Sequence, residues 1–295
     1  MSRPLHIWKR DIFPVIQNLF KRFFQDEVGR SAAALAYYLL FSFFPFLIFV
    51  SALISFLDLP PLSTSTFQSL IPSDIIEIIN TYLTHIAEVK NGHLLLFGLF
   101  FTIYFSMRAV DCLTRSIRRA YRVTEQKVFP WHQIQVFLYT LSLMVLIFAS
   151  LLFMTIGRTV LTFLAKFFPI HADSINFWNV VRFVLLAVML FFALSLLYSF
   201  VPGKRQHFRQ ILPGTIVALI SWLVFSMGFS YYVEHMAHYS VIYGSIGAII
   251  VLMLWLYCTS ATLILGAELN CAIANKNKMK RQMRVRTLST PTRRK

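Results

Sequence analysis

The feature that most constrains this chain is a run without one charged side chain from Tyr239 to Ala267, closed at once by Glu268. A helix needs roughly 20 apolar residues to cross the hydrocarbon core of a bilayer, and this run exceeds that. Backbone entering hydrocarbon must satisfy its own hydrogen bonds, so such a run folds as a helix. It is a membrane span that ends on a carboxylate. The whole chain agrees: 57% of residues are hydrophobic, 14% are charged, and the mean hydropathy is +0.65. Soluble domains carry about a quarter charged residues. The expected fold is all-α, a polytopic bundle of six transmembrane helices with amphipathic interfacial helices.

The spans are expected at about 31–57, 93–120, 133–157, 183–201, 211–233 and 243–268. They form one domain, 31–270, between an amphipathic segment, 1–30, and a basic tail, 271–295, whose Lys276–Lys295 portion reads as disordered. The amino-terminal residues are basic but precede no cleavable apolar region, so the first span is expected to act as the insertion signal. In the first segment Ile12, Val15, Ile16, Leu19, Phe20, Phe23 and Phe24 recur at helical spacing opposite Gln17, Asn18, Lys21, Arg22 and Gln25. A basic amphipathic helix of this kind suits an anionic inner leaflet, or else packs on the rest of the protein. Between the first two spans Pro72-Ser73-Asp74 opens, and Asn91-Gly92 stops, a helix whose polar face is acidic. The stretch 160–168 is apolar but too short to cross, and is expected along the interface.

A net charge of +16 is open to two explanations, nucleic-acid binding or many cytoplasmic loops. Position decides between them. With six spans, all the Lys and Arg except Lys90, Arg158, Lys166 and Arg182 fall on one side, while the acidic residues divide evenly. Five spans scatter the basic clusters across both sides. The positive-inside rule therefore favours six spans with both termini cytoplasmic, in a multi-pass protein of the cell membrane. The charge then needs no nucleic acid; the expected partners are membrane lipids, with anionic inner-leaflet lipids at the basic segments.

Glu268 is the leading polar candidate, because a carboxylate at the end of an apolar helix needs a partner or a proton. Arg108, Arg115 and Arg30 are the expected partners, in either a structural ion pair or a coupling role. Arg108 and Asp111 are three apart on the second span and share a face. Tyr37, Tyr38 and Ser42 in the first span either line a cavity or hydrogen-bond to neighbours, and Pro45 is placed to kink that helix. Ala32 and Ala36 let another helix come close. So do Gly214, Ala218, Ser221 and Gly228, spaced with Phe225 along one face of the fifth span, and Gly244, Gly247 and Gly266 in the sixth. Cys112, Cys258 and Cys271 lack metal-ligand spacing and read as packing residues. Glu234-His235 with His238 approaches a metal pair but shows no third ligand. No phosphate loop or nucleophile elbow occurs, and neither an enzyme nor a cofactor is expected.

The opening Tyr243-Gly244-Ser245-Ile-Gly247 and closing Gly266-Ala267-Glu268-Leu-Asn270 of the last span resemble the signature of the YihY/BrkB family of bacterial inner-membrane proteins. Ala32 to Pro45 with Tyr37, Tyr38 and Ser42, the Arg118-Arg-Ala-Tyr121 end of the second span, Pro202 and Pro213-Gly214 extend the resemblance over most of the chain. Arg119 departs from it, standing where family members often have Asn. The resemblance implies a bacterial cytoplasmic-membrane protein; some members are linked to virulence or envelope lipids, and some were once labelled ribonuclease BN. A dispersed set of histidines argues against the nuclease label. The expected activity is transport or handling of a lipid or other amphipathic substrate, with a non-transporting envelope scaffold as the alternative.

Overall fold

The computed structural model describes residues 13–56, 76–77, 92–123, 131–164, 173–201, 206, 208–236 and 245–289. Seven helices follow one another among the described residues: α1 Phe13–Gln25, α2 Val28–Phe56, α3 Gly92–Ala120, α4 Trp131–Leu164, α5 Asp173–Phe200, α6 Phe208–Met236 and α7 Ser245–Ser289. The expected acidic-faced helix at 74–90 lies outside the described residues except for Ile76 and Glu77, which are helical.

Among the described residues five helices contain segments long and apolar enough to cross a membrane: Val28–Leu53, Gly92–Ala120, Trp131–Ser150, Phe208–Val233 and Ile246–Asn275. Six were expected. The difference falls on α5, whose apolar stretch among the described residues is the shorter Val184–Ser199. The structure also lengthens two elements. α4 runs on through Arg158 to Leu164, taking in part of the stretch expected at the interface, because no proline stops it. α7 continues to Ser289 where a disordered tail was expected. Residues 271–289 contain neither Gly nor Pro and are rich in Ala, Lys, Met, Gln and Arg, all good helix formers.

α2 and α3 pack along their length as an antiparallel pair. A Cβ on Gly98 of α3 would lie 2.7 Å from the backbone nitrogen of Phe49 and 3.1 Å from the Pro45 carbonyl oxygen, so only glycine permits this approach. α7 fills the space between α2 and α6. The largest core sits at one end of the bundle, where α2 starts, α3 and α5 end and α6 starts. It is built from Val28, Ala32 and Leu35, Leu113 and Ile117, Leu197 and Tyr198, Ile211 and Ala218, with Ile264 and Ala267. At the far end buried clusters are smaller: Phe229, Val233 and Val251 form one of them. Because Arg22, Arg118, Arg119 and Arg122 gather at the first end, it is called the basic end below.

Two tight corners stand there. Glu27, between α1 and α2, has φ 52°, and Arg122, after α3, has φ 54°. The left-handed region disfavours side chains other than glycine, at roughly 1–2 kcal/mol. At Arg122 the strain closes a Schellman motif: Val123 N–H donates to Arg118 O (3.0 Å) and Arg122 N–H to Arg119 O (3.0 Å). α1 therefore folds back onto the end of the bundle rather than extending α2.

Candidate functional site at the basic end of the bundle

The segment Gly266–Asn270 of α7 presents two faces to two helices. Residues four apart share a helix face, so Gly266 and Asn270 both meet α6. A Cβ on Gly266 would stand 2.7 Å from the Ala218 Cβ and 2.6 Å from the Tyr198 hydroxyl. A Cβ on Gly214 would overlap the Gly266 carbonyl oxygen. The two backbones are thus in contact. Pro213 contributes no N–H to the α6 ladder, and the next N–H, that of Gly214, donates 2.7 Å to Asn270 Oδ1. Tyr198 donates to Leu263 O at 2.6 Å, tying α5 to the same stretch.

Glu268 points the other way and is 0% exposed. Its Oε2 accepts from Arg22 Nη1 at 2.9 Å, and Arg22 also donates to Ala120 O at 3.3 Å. Burial opposes the charge on Arg22, but the Glu268 hydrogen bond and neighbouring charges outweigh it and raise the guanidinium pKa. Asp26, buried nearby, pairs with Arg122 Nη1 at 2.9 Å. Arg119 donates to Asp26 O at 3.3 Å and lies 3.7 Å from Glu27, which also pairs with Arg30. The two strained corners are therefore tied to each other by charge. Tyr121 is buried beside this group; burial, with Cys271 and Glu268 adding to it, raises its phenol pKa and keeps it neutral.

Arg108, Arg115 and Arg30 were expected to hold Glu268, and none of them does. Arg30 is held by Glu27, Arg115 by Asp111 at 3.0 Å, and Arg108 is exposed. The partner comes from the amphipathic helix, whose polar face hid it. Arg22 and Phe23 turn into the bundle while Phe20 and Phe24 stay exposed, their rings 5.1 Å apart edge to face.

A second network occupies the opposite flank of α3. Arg118, buried, donates to Val201 O at 3.1 Å and lies 3.1 Å from His132 Nδ1. Arginine has no lone pair to offer, so His132 Nδ1 accepts, and Nε2 carries the proton donated to Asp111 Oδ1 at 2.8 Å. His132 is thereby fixed as one neutral tautomer. Asp111 also accepts from Arg115 Nε at 3.1 Å. Arg108 and Asp111, expected on one face, do not pair: Asp111 meets His132 of α4 and Arg115.

Of the other sequence candidates, Ser42 is buried and donates to Leu39 O at 2.9 Å, a local bond within α2. Tyr38 packs on the main core and Tyr37 is exposed. Gly214, Ala218 and Gly266 form the expected packing face, but Ser221 and Gly228 are exposed and a Cβ on Gly228 would meet nothing. The buried face of α6 follows Thr215, Ser226, Phe229 and Ser230 instead. Gly247 is buried; Gly244 lies outside the described residues, as do the side chains of Glu234, His235 and His238. Gly98 was missed by sequence reading, although Thr102 four residues on makes a small-residue pair with it. Cys112, Cys258 and Cys271 are free thiols. Among the described residues no three His, Cys, Asp or Glu converge as a metal site.

A family model described as virulence factor BrkB matches residues 19–288. Ribonuclease-like protein YfkH of Bacillus subtilis is 31% identical over 90% of this chain and 96% of its own length. A UPF0761 membrane protein of Alteromonas mediterranea is 25% identical over 89% of this chain and 90% of its own. Another, of Vibrio atlanticus, is 25% identical over 88% and 82%. No solved structure matches.

Proposed function

The chain belongs to the BrkB family of multi-pass membrane proteins, and from that premise we propose that it takes up and repositions a lipid or other amphipathic substrate in the cytoplasmic membrane. The observation that carries this reading is the wiring of α1. A helix with Phe20 and Phe24 exposed sends Arg22 to a fully buried carboxylate on the last span. An amphipathic molecule arriving at the membrane surface meets those rings, and any displacement of α1 loads the Arg22–Glu268 pair. Glu268 is then a coupling residue as well as a structural one.

A sixth span, α5, belongs to the same proposal. α4 and α6 both start at the basic end, so in this reading α5 brings the chain back from the far end, and Leu197 and Tyr198 near its end lie in the basic-end core. At 28 residues it is about 42 Å long, enough to cross. Six crossings keep nearly all Lys and Arg, with both termini, on the cytoplasmic side. Nucleic acid, a cofactor and ribonuclease activity have no part in this reading.

A non-transporting scaffold is the second reading, favoured by α7, whose helix leaves the last span and continues through a basic stretch to Ser289. Purified protein in liposomes separates the two. Fluorescent-lipid scrambling or proton-coupled uptake, reduced in Glu268→Gln while the protein still accumulates, is the expected outcome. Traces matching protein-free vesicles across a broad substrate panel would leave the scaffold.

A further inference from the structure

Arg108 is a charged side chain that the basic-end networks do not absorb. It sits twelve residues before Ala120, the end of α3, and so about 18 Å up the helix, within the apolar segment Gly92–Ala120. It is exposed there and has no carboxylate partner among the described residues, since Asp111 is taken by Arg115 and His132. Its guanidinium carbon lies 5.6 Å from the Tyr104 ring centroid. An arginine facing lipid is unfavourable by several kcal/mol unless a counter-charge reaches it.

The surroundings are those of a built surface. The Phe41–Phe105 contact (5.5 Å) and the contact of Cys112 Sγ with Ser31 O (3.7 Å) bracket the level of Arg108 on the α2–α3 pair, which is the level of Tyr37. The Tyr37 ring lies 4.6 Å from that of Phe41, tilted 44° to it, and Tyr104 lies 5.2 Å from Phe105. Tyr37 and Tyr104 are each 46% exposed and Phe41 is 43% exposed. From Phe105 the aromatic contacts climb α3 through Phe101 (6.3 Å) to Phe97 (4.5 Å). One cation and two phenol hydroxyls thus stand at the foot of an apolar aromatic strip.

We infer that Arg108, Tyr104 and Tyr37 form a lateral binding site for the phosphate of an anionic phospholipid, whose acyl chains lie along Phe41, Phe105 and Phe101. The planar guanidinium suits bidentate contact with phosphate, which lysine does not reproduce. The ligand reaches the site from within the bilayer, because its counter-charge must meet Arg108 beside the apolar strip. The site names a substrate class for the function proposed above and rests on that reading. Its test reads lipid retained rather than lipid moved, so the two can fail separately.

The full chain in phosphatidylcholine nanodiscs, offered phosphatidylglycerol in trace amounts, gives the measurement by native mass spectrometry after release into detergent. Arg108→Gln is expected to lower retained phosphatidylglycerol about tenfold, the loss of one charge-assisted contact. Arg108→Lys should fall between, and Tyr37→Phe with Tyr104→Phe should lower retention severalfold without altering the apolar surface. Arg209→Gln, an exposed arginine elsewhere, should change nothing. Excess inorganic phosphate should not displace the lipid. Equal retention in wild type and Arg108→Gln, an equal loss in Arg209→Gln, or displacement by phosphate would each overturn the site. The tyrosine pair decides the matter if Arg108→Gln does not fold. Normal retention by a protein that moves no lipid would count against the transport reading and leave the site standing.

Discussion

The two ends of this bundle are built on different principles. At the basic end backbones touch at Gly214 and Gly266, a carboxylate is buried at Glu268, and two non-glycine residues, Glu27 and Arg122, hold left-handed corners. At the far end α6 and α7 meet through larger side chains: Phe229 and Val233 pack on Val251, and nearer mid-span Trp255 donates to Ser226 Oγ at 3.3 Å. Contacts of the first kind admit one arrangement, because a backbone collision or an unpaired buried charge has no cheap alternative. Contacts of the second kind tolerate sliding. Between α6 and α7 the basic end is the fixed point and the far end is where movement meets least resistance, whereas α2 and α3 also touch through backbone at Gly98, towards the far end.

Breaking the charge network should have the largest effect. Glu268→Ala leaves Arg22 buried without its carboxylate, and Arg22→Ala leaves Glu268 alone; each is expected to destabilise by about 3–5 kcal/mol. Thermal unfolding in detergent would show it, and Arg22→Met with Glu268→Leu together should recover most of the loss. If the single changes leave the unfolding temperature in place, the basic end is not the fixed point. Next comes Gly214→Ala, where overlap with the Gly266 carbonyl should cost about 1–3 kcal/mol. Gly228→Ala, higher on the same helix and facing open space, should be neutral or slightly stabilising by the same measurement. The smallest effect belongs to the far half. Trp255→Phe removes one hydrogen bond and a little area, an expected loss of about 1 kcal/mol or less, and a larger loss would erase the contrast.

What could be read from the chain alone divides along the same line. Spans are announced by apolarity, which acts residue by residue, so α2, α3, α6 and the first part of α7 fall close to where hydropathy puts them. Gly214, Gly266 and Asn270 were visible because small residues inside a membrane have few uses other than close approach. Arg22 was not visible as the partner of Glu268: the two are 246 positions apart, and an arginine on the polar side of an amphipathic pattern reads as solvated. Only docking of α1, imposed by the corner at Glu27, turns it inward. Ser221 and Gly228 show the reverse error, since spacing by threes and fours defines a face without saying which neighbour, if any, lies against it. The helical extension of α7 was missed because a run of charges was taken for disorder, although nothing in residues 271–289 breaks a helix.

That extension has a mechanical meaning. α7 is one unbroken rod from Ser245 to Ser289, and the fourteen residues past Asn275 project about 21 Å beyond the last span. A load applied near Ser289 is not dissipated in a hinge; it arrives as torque at Gly266, where α6 resists it, and at Glu268, where α1 is leashed. Whatever grips the projecting shaft holds a lever on the tightest joint in the molecule.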